Sequence, residues 1–234
     1  MERWPVFLTT RAVDKIRVGL AVAVISYWSR HLDADLTVLD CGASPSLRAC
    51  LYCLGMTSVK WVEFPAEDSQ RQRHAIAARL AAEARAEHYI QTDDDLLPRV
   101  SLSLGLAVDL MRLYPDFAMV SLSLPNCPLG GHVDRHYGQG TGPVSECGAA
   151  GGVRFCRTAA FASLDFPPRR PEEYGPGYDI PLAEGLRAAG YKVGFYGDGS
   201  PGTLRATHLA ESPLLSCVWA DFYGGPATSF PAQE

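Results

Sequence analysis

An open α/β fold with a mostly parallel sheet is what this sequence predicts, and three observations predict it. β-prone and helical runs alternate through residues 1–124, the order that lays helices on both faces of a parallel sheet. The triplet Asp93, Asp94, Asp95 follows directly on an apolar run, where open α/β sheets bind ligands beyond the carboxyl ends of their strands. After Leu124 the chain changes character and becomes rich in glycine and polar residues.

Pro5–Thr10 reads as the first strand. Asp14 is a helix cap ahead of Ile16, Leu20, Val24 and Tyr27 at helical spacing. Leu36–Ser44 gives a second strand ending in an acidic, glycine-containing turn, and Ser44 with Pro45 opens a short helix. Val59–Phe64 is a third strand. The alanine-rich stretch Ser69–His88 favours a helix with Ile76, Leu80 and Ala84 on one face.

Tyr89–Thr92 is the fourth strand, and the aspartates fall at its C-terminal end. A helix over Ser101–Tyr114 is halted by Pro115, and Ala118–Leu124 is a fifth strand. Pro125–Gly152 reads as a long loop, and a loop of that length is functional or mobile. Gly152–Leu164 then holds a strand and a helix, a helix from Leu182 to Ala189 is closed by Gly190, and Tyr191–Tyr196 is a last strand. The whole chain, 1–234, is expected to form one domain, with 1–124 as one part and 125–234 as a second part and tail.

A net charge of -5 excludes a global positive field that would draw in a polyanion. Only local basic pairs, Arg71 with Arg73 and Arg169 with Arg170, speak for nucleic-acid contact. No long apolar run and no secretory leader are present, so a cytoplasmic protein is expected. Seven cysteines read as reduced thiols; Cys50 and Cys53 have the spacing of a zinc or redox pair, but no second pair completes it. They are expected to serve helix packing.

Three adjacent carboxylates repel one another, and without a counter-charge at least one should take up a proton. A hard divalent cation removes that conflict, since Mg²⁺ and Mn²⁺ favour oxygen ligands and bridge carboxylates to phosphates. In an extended segment alternate residues share a side, so Asp93 and Asp95 are expected to face one ligand while Asp94 points away. A solvated acidic turn is the plain alternative.

The segment "YIQTDDDLLP" resembles the DxD segment of GT-A nucleotide-sugar glycosyltransferases, particularly family 2. Further pieces follow in the family's order. "PVFLTTR" is similar to the first nucleotide-binding strand, "LDCGAS" to the "DDGS" turn with Cys41 in place of the second acid, and "SQRQRHAIAARLAAEA" to the arginine-bearing helix. "GGVRFCRTAAFASL" resembles the acceptor-side segment, "GYDIPLAEGLRAAGYKVGF" the "EDxDLxxRLxxAGYRV" stretch, and "ATHL" the late histidine.

The resemblance implies a GT-A fold with a Rossmann-like nucleotide-binding sheet and transfer of a sugar from a nucleotide diphosphate, a UDP-sugar first, to an acceptor hydroxyl. It places Thr9 and Arg11 near the nucleotide, Asp40 on the base or ribose, and Arg73 on the nucleotide or diphosphate. Asp93 would hold ribose or metal, Asp94 would lie on the nucleotide side, and Asp95 and His208 would bind Mn²⁺ or Mg²⁺. Asp179 would be the base of an inverting reaction, although Tyr178 stands where the family has an acid. A bland reading makes Asp179 a helix cap, with Glu172, Glu173 and Glu184 as other candidate bases. The acceptor is open: a glycan, a small molecule, or a modified base in DNA, for which Arg135 and His136 add to the arginines. The alternatives are a sugar-1-phosphate nucleotidyltransferase and a non-catalytic metal- or nucleotide-binding module. Against the first, the residues after the first strand, "LTTRAVDK", lack a glycine-rich loop.

Overall fold

The computed structural model describes residues 3–30, 33–98, 104–122, 144–149, 151–168, 178–196 and 206–208. In chain order the elements are β1 (Trp4–Thr10), α1 (Lys15–Arg30), β2 (Ala34–Asp40), α2 (Pro45–Cys53), β3 (Lys60–Glu63), α3 (Ser69–Glu83), β4 (His88–Asp93), β5 (Leu96–Pro98) and α4 (Leu104–Leu113). Then follow β6 (Phe117–Ser121), β7 (Val144–Glu146), β8 (Arg154–Arg157), α5 (Thr158–Ala162), α6 (Asp179–Ala188), β9 (Lys192–Tyr196) and β10 (Ala206–His208).

Eight strands form one sheet in the order β3-β2-β1-β4-β8-β6-β9-β7. β1 to β4 run parallel, β6 and β9 run parallel to each other, and β8 and β7 run against their neighbours. The chain builds outward from β1 to β3, then returns to place β4 on the other side of β1. That reversal makes the carboxyl ends of β1 and β4 the switch point of the sheet, the place where such sheets take ligands.

Strand residues alternate between two cores. Val6, Leu8, Val38 and Ile90 pack with Val24, Ile25 and Trp28 of α1, Leu47 of α2 and Met111 of α4. Phe7, Leu39, Tyr89 and Met119 pack with Ala77 and Ala81 of α3, Phe161 of α5 and Leu182 and Leu186 of α6. The result is a three-layer arrangement with helices on both faces, as the alternation predicts.

The local signals act as expected. Asp14 Oδ1 accepts from the amides of Ile16 and Arg17, and Ser44 caps α2 with Pro45 in its first turn. Gly190 has φ +88°, and the bonds Gly190 N–H to Arg187 O and Tyr191 N–H to Leu186 O close α6 with a Schellman turn.

Other expectations are corrected. Ile16 is exposed; α1 buries Val18, Ala21, Ile25 and Trp28 beside Leu20 and Val24. α3 buries Arg73, His74, Ala77, Ala78 and Ala81 most deeply; Ile76 and Leu80 pack half-buried against the same core, and Ala84 is exposed. Its alanines let the helix approach the sheet closely, and its two polar residues find partners on β4. The loop read over Pro125–Gly152 contains β7, an edge strand on β9. The helix read from Ser101 is described from Leu104 to Leu113. Cys50 and Cys53 are exposed on α2, which packs through Leu47 and Leu51 instead. The cysteines at 41, 147 and 156 are free and buried; those at 127 and 217 lie outside the described residues. Among the described residues no helix is long and apolar enough to cross a membrane.

Candidate active site

β4 ends at Asp93, and Asp94 and Asp95 form the turn into β5. Strand alternation therefore stops one residue too early to put Asp93 and Asp95 on one side, which corrects that expectation. Asp93 pairs with Arg73 of α3, while Asp94 and Asp95 face α1. Nor is the turn solvated: Asp94 and Asp95 are only 7% and 5% exposed.

Each carboxylate has its own partner. Asp94 Oδ2 accepts from Thr10 Oγ1 at 2.7 Å, and its Oδ1 lies 3.5 Å from Arg17 Nη1. Asp95 Oδ2 accepts from Arg17 Nη1 at 2.6 Å. The Asp14 cap fixes the first turn of α1, which is what sends Arg17 across to the end of β4. These donors offset the repulsion incompletely. Burial first, and then the charge of Asp95, push the Asp94 carboxyl above its ordinary range, with Arg17 and Thr10 opposing.

A second network continues from Asp93 away from α1. Arg154, the first residue of β8, is 1% exposed, and its Cα is paired with that of Gln91, two residues before Asp93. Because β8 runs against β4, its first residue lies at the carboxyl end of β4. Arg154 Nη2 donates to Asp179 Oδ1 at 2.8 Å, and its Nη1 lies 3.8 Å from Asp93 Oδ2. Asp179 opens α6 as its first helical residue. Tyr178, not Asp179, holds the cap position, and Asp179 lies in the first turn, so the cap reading of Asp179 is set aside.

Tyr178 explains its own presence. Its ring stacks on His74 with centroids 5.7 Å apart, and its hydroxyl donates to Pro167 O at 2.6 Å. His74 in turn bonds Gln91 Oε1 through Nδ1 at 2.7 Å. Burial, then Arg73 and Arg154, hold the His74 imidazole well below its ordinary pKa, so it is neutral. The start of α6 is thereby anchored through α3 to β4.

The other expected residues fall as follows. Thr9 pairs with Asp93 across β1 and β4, and its buried Oγ1 has no hydrogen-bond partner among the described residues. Arg11 is exposed just beyond β1. Asp40 closes β2; its Oδ1 accepts from the amides of Gly42 and Ala43 at 3.0 and 2.8 Å, and its Oδ2 from Arg48 at 3.0 Å. It borders a cleft of about 580 Å³ that also involves Arg48, Glu63 and Phe64. Cys41 is buried with its thiol on Thr10 O, and burial pushes its pKa up to about 11. β10 pairs with β5 so that His208 lies opposite Leu96, the residue after Asp95; its side chain is outside the description. Glu184 lies on the exposed side of α6, and Glu172, Glu173, Arg135, His136, Arg169 and Arg170 are outside the described residues. Arg71 bonds Phe166 O and Asp68, and Arg73 bonds Asp93, so neither contributes to an open basic patch.

Thr10, Arg17 and Arg154 were not among the expected site residues. Thr10 sits next to one that was, and Arg17 three residues past the Asp14 cap. Arg154 lies inside "GGVRFCRTAAFASL", the segment that resembles the acceptor side, but nothing within it singles out the arginine.

The hard oxygen donors at the end of β4 and the raised Asp94 carboxyl are what a divalent cation would relieve. Among the described residues, however, no three His, Cys, Asp or Glu side chains converge on one point. A cation at Asp95 would share that carboxylate with Arg17.

No family model matches this chain, and no curated protein matches it by sequence. Solved structures do. The mannosyltransferase PcManGT from Pyrobaculum calidifontis, in complex with GDP-Man and Mn²⁺, is 15% identical, with a TM-score of 0.57 over 92% of this chain. This chain spans 59% of that protein's length. S. aureus TarS in complex with UDP is 12% identical with a TM-score of 0.55, covering 88% of this chain and 60% of that one. CMP:2-keto-3-deoxy-manno-octonic acid synthetase, complexed with CTP, is 11% identical with a TM-score of 0.54, covering 94% of this chain and all (100%) of the other. These likenesses show the fold: it is the fold of GT-A-type glycosyltransferases, a Rossmann-like sheet flanked by helices.

Proposed function

We propose that this chain is a glycosyltransferase that moves a sugar from a nucleoside diphosphate to an acceptor hydroxyl. One observation carries the reading: Asp93 at the end of β4 and Asp179 at the start of α6 flank a single buried guanidinium, that of Arg154. A donor-side carboxylate and a candidate base thus belong to one network at the sheet's ligand-binding rim. Sugar transfer needs help at both places, because the departing diphosphate gathers negative charge and the acceptor must lose a proton.

In the proposed step the acceptor oxygen attacks the anomeric carbon as its proton passes to Asp179. The bond from that carbon to the diphosphate oxygen breaks, and the electron pair leaves with the diphosphate. Attack opposite the leaving group inverts the anomeric centre. Arg73 and Arg17, each ion-paired to the aspartates in this structure, would share their charge with the phosphates, and Thr9 and Asp40 would lie on the nucleoside side. Asp93, Asp95 and His208 are the proposed holders of a divalent cation, Mn²⁺ or Mg²⁺; because Asp93 lies on Arg73 and Asp95 on Arg17, the cation would have to draw the two carboxylates off those arginines, and when bound it would lend positive charge to the diphosphate. The Mn²⁺ in the mannosyltransferase complex supports a divalent cation as cofactor. UDP is favoured as the nucleotide, in keeping with the UDP bound to TarS.

The full-length likeness to the CTP-bound synthetase favours one second reading, a sugar nucleotidyltransferase. A panel separates the two. UDP-glucose, UDP-galactose, UDP-N-acetylglucosamine and GDP-mannose, each with Mn²⁺ or Mg²⁺, are assayed for sugar release and for a rise in melting temperature. CTP or UTP with a sugar phosphate is assayed for pyrophosphate. The transferase reading expects sugar and nucleoside diphosphate from at least one donor; pyrophosphate release without donor turnover overturns it.

A further inference from the structure

We propose that Arg154 and Gly151 together form the seat of the Asp179 carboxylate, the guanidinium holding Oδ1 and the bare backbone at 151 leaving room for Oδ2. The inference rests on the transferase reading and adds two residues to it, both as positioning residues.

The first half of the seat is the fork. A guanidinium is planar and its donors are fixed relative to one another, so binding two carboxylates with one Arg fixes their mutual placement. Arg154 reaches Asp179 Oδ1 at 2.8 Å with Nη2 and approaches Asp93 Oδ2 at 3.8 Å with Nη1. A cation buried this completely is costly unless paired, so removing either carboxylate would leave the arginine less compensated. The strand holding Arg154 is in turn bonded on both sides, to β4 and β6, so the fork sits on a rigid part of the sheet.

The second half is a side chain that is missing. A Cβ at Gly151 would lie 2.9 Å from Asp179 Oδ2, 3.6 Å from its Cγ and 3.9 Å from Arg154 Nη2. A methyl there must push the carboxylate aside. The Gly151 backbone is not in the left-handed region, so alanine is conformationally acceptable and its cost falls on Asp179. With Oδ1 held by Arg154, Oδ2 is the oxygen that takes the acceptor proton. The carboxylate remains 37% exposed, open enough for a hydroxyl to approach.

The two residues also divide the task by chemistry. Lysine at 154 keeps the charge but is a point donor that cannot bridge both carboxylates. Alanine at 151 keeps every charge and moves only the oxygen. The test measures kcat, donor KM, melting temperature and the stabilisation by UDP with Mn²⁺ for wild type, Gly151→Ala and Arg154→Lys, using the donor that wild type turns over.

The seat predicts that Gly151→Ala keeps its melting temperature, its donor KM and its UDP-induced stabilisation while kcat falls about 100-fold, the scale of a small misplacement of a reacting group. Arg154→Lys should likewise lose kcat, and because it also frees Asp93 its donor KM should rise, which Gly151→Ala does not do. If Gly151→Ala turns over like wild type, or if kcat in both variants merely follows a drop in melting temperature, the seat is wrong although the transferase reading stands. If wild type turns over none of the four sugar nucleotides, the transferase reading falls and this inference with it.

Discussion

Two acidic corners lie along the same rim of the sheet and are built in opposite ways. At the end of β2, Asp40 is satisfied by its own turn: two amides within three residues and an arginine eight residues on. At the end of β4, Asp94 is held by Thr10 from 84 residues away and Asp95 by Arg17 from 78. Asp93 is held by Arg73 of α3, and Arg154 brings Asp179 into the same network. Asp40 would form its contacts in almost any fold that made the turn. The aspartates of β4 need α1, α3, β8 and α6 in place at once, and a carboxylate cluster that the whole fold is arranged to hold is a better candidate for chemistry than one held by its own loop.

Breaking the chemical end of the long-range corner should give the largest effect. Asp179→Asn keeps the shape and an acceptor oxygen for Arg154 but removes the base, and kcat should fall about a thousandfold. The rise in melting temperature with UDP and Mn²⁺ should survive. Steady-state turnover beside thermal shift checks both; undiminished kcat would move the base elsewhere.

Next comes a matched pair of arginine truncations. Arg17→Met strands the buried Asp95 and should cost about 3 kcal/mol of stability, as removing one partner of a buried ion pair does. Arg48→Met, at the local corner, removes a half-exposed arginine from Asp40 and Glu63 and its stacking on Trp61. Its loss should stay below about 1 kcal/mol. Urea unfolding of the two variants compares the corners directly, and equal losses would erase the distinction.

How far these corners were legible follows from their construction. The strands that carry β1, β2, β4 and β9 were readable because apolar runs and turn residues are local signals. The caps at Asp14 and Ser44, and the Gly190 stop, were readable for the same reason. The aspartate triplet announced itself as an electrostatic anomaly. Its partners did not, because nothing near Arg17 or Arg154 says which carboxylate each will meet. The inner face of α3 was read only in part: Ile76 and Leu80 do pack on the core, but Arg73 and His74 look like surface residues until Asp93 and Gln91 are known to lie beneath them. β7 was missed because three residues inside a glycine-rich stretch carry no periodicity. Tyr178 looked like a broken motif and is instead the anchor that sets Asp179 at the head of α6.

The smallest expected effect is a dependence on pH. Burial lowers the His88 pKa from 6.5 to about 4, and His74 is held well below 6.5 as well. A base whose folded pKa is lowered leaves the unfolded chain to bind the proton first. Its stabilising contribution is therefore full above pH 6.5 and declines as pH falls towards 4. Asp94, with its raised pKa, acts in the opposite sense, so the informative quantity is a difference between variants. Melting temperatures of His88→Leu and wild type should draw together or cross in favour of the variant between pH 6.5 and 4; parallel curves would remove His88 from the account.

A crystal structure of the chain with UDP and Mn²⁺ tests the central claim most directly. The account predicts the diphosphate at the end of β4, beside Asp93 and Asp95 and within reach of Arg17 or Arg73, with Asp179 still on Arg154. UDP bound elsewhere on the chain, or at that rim with Asp179 turned away from it, would contradict the account.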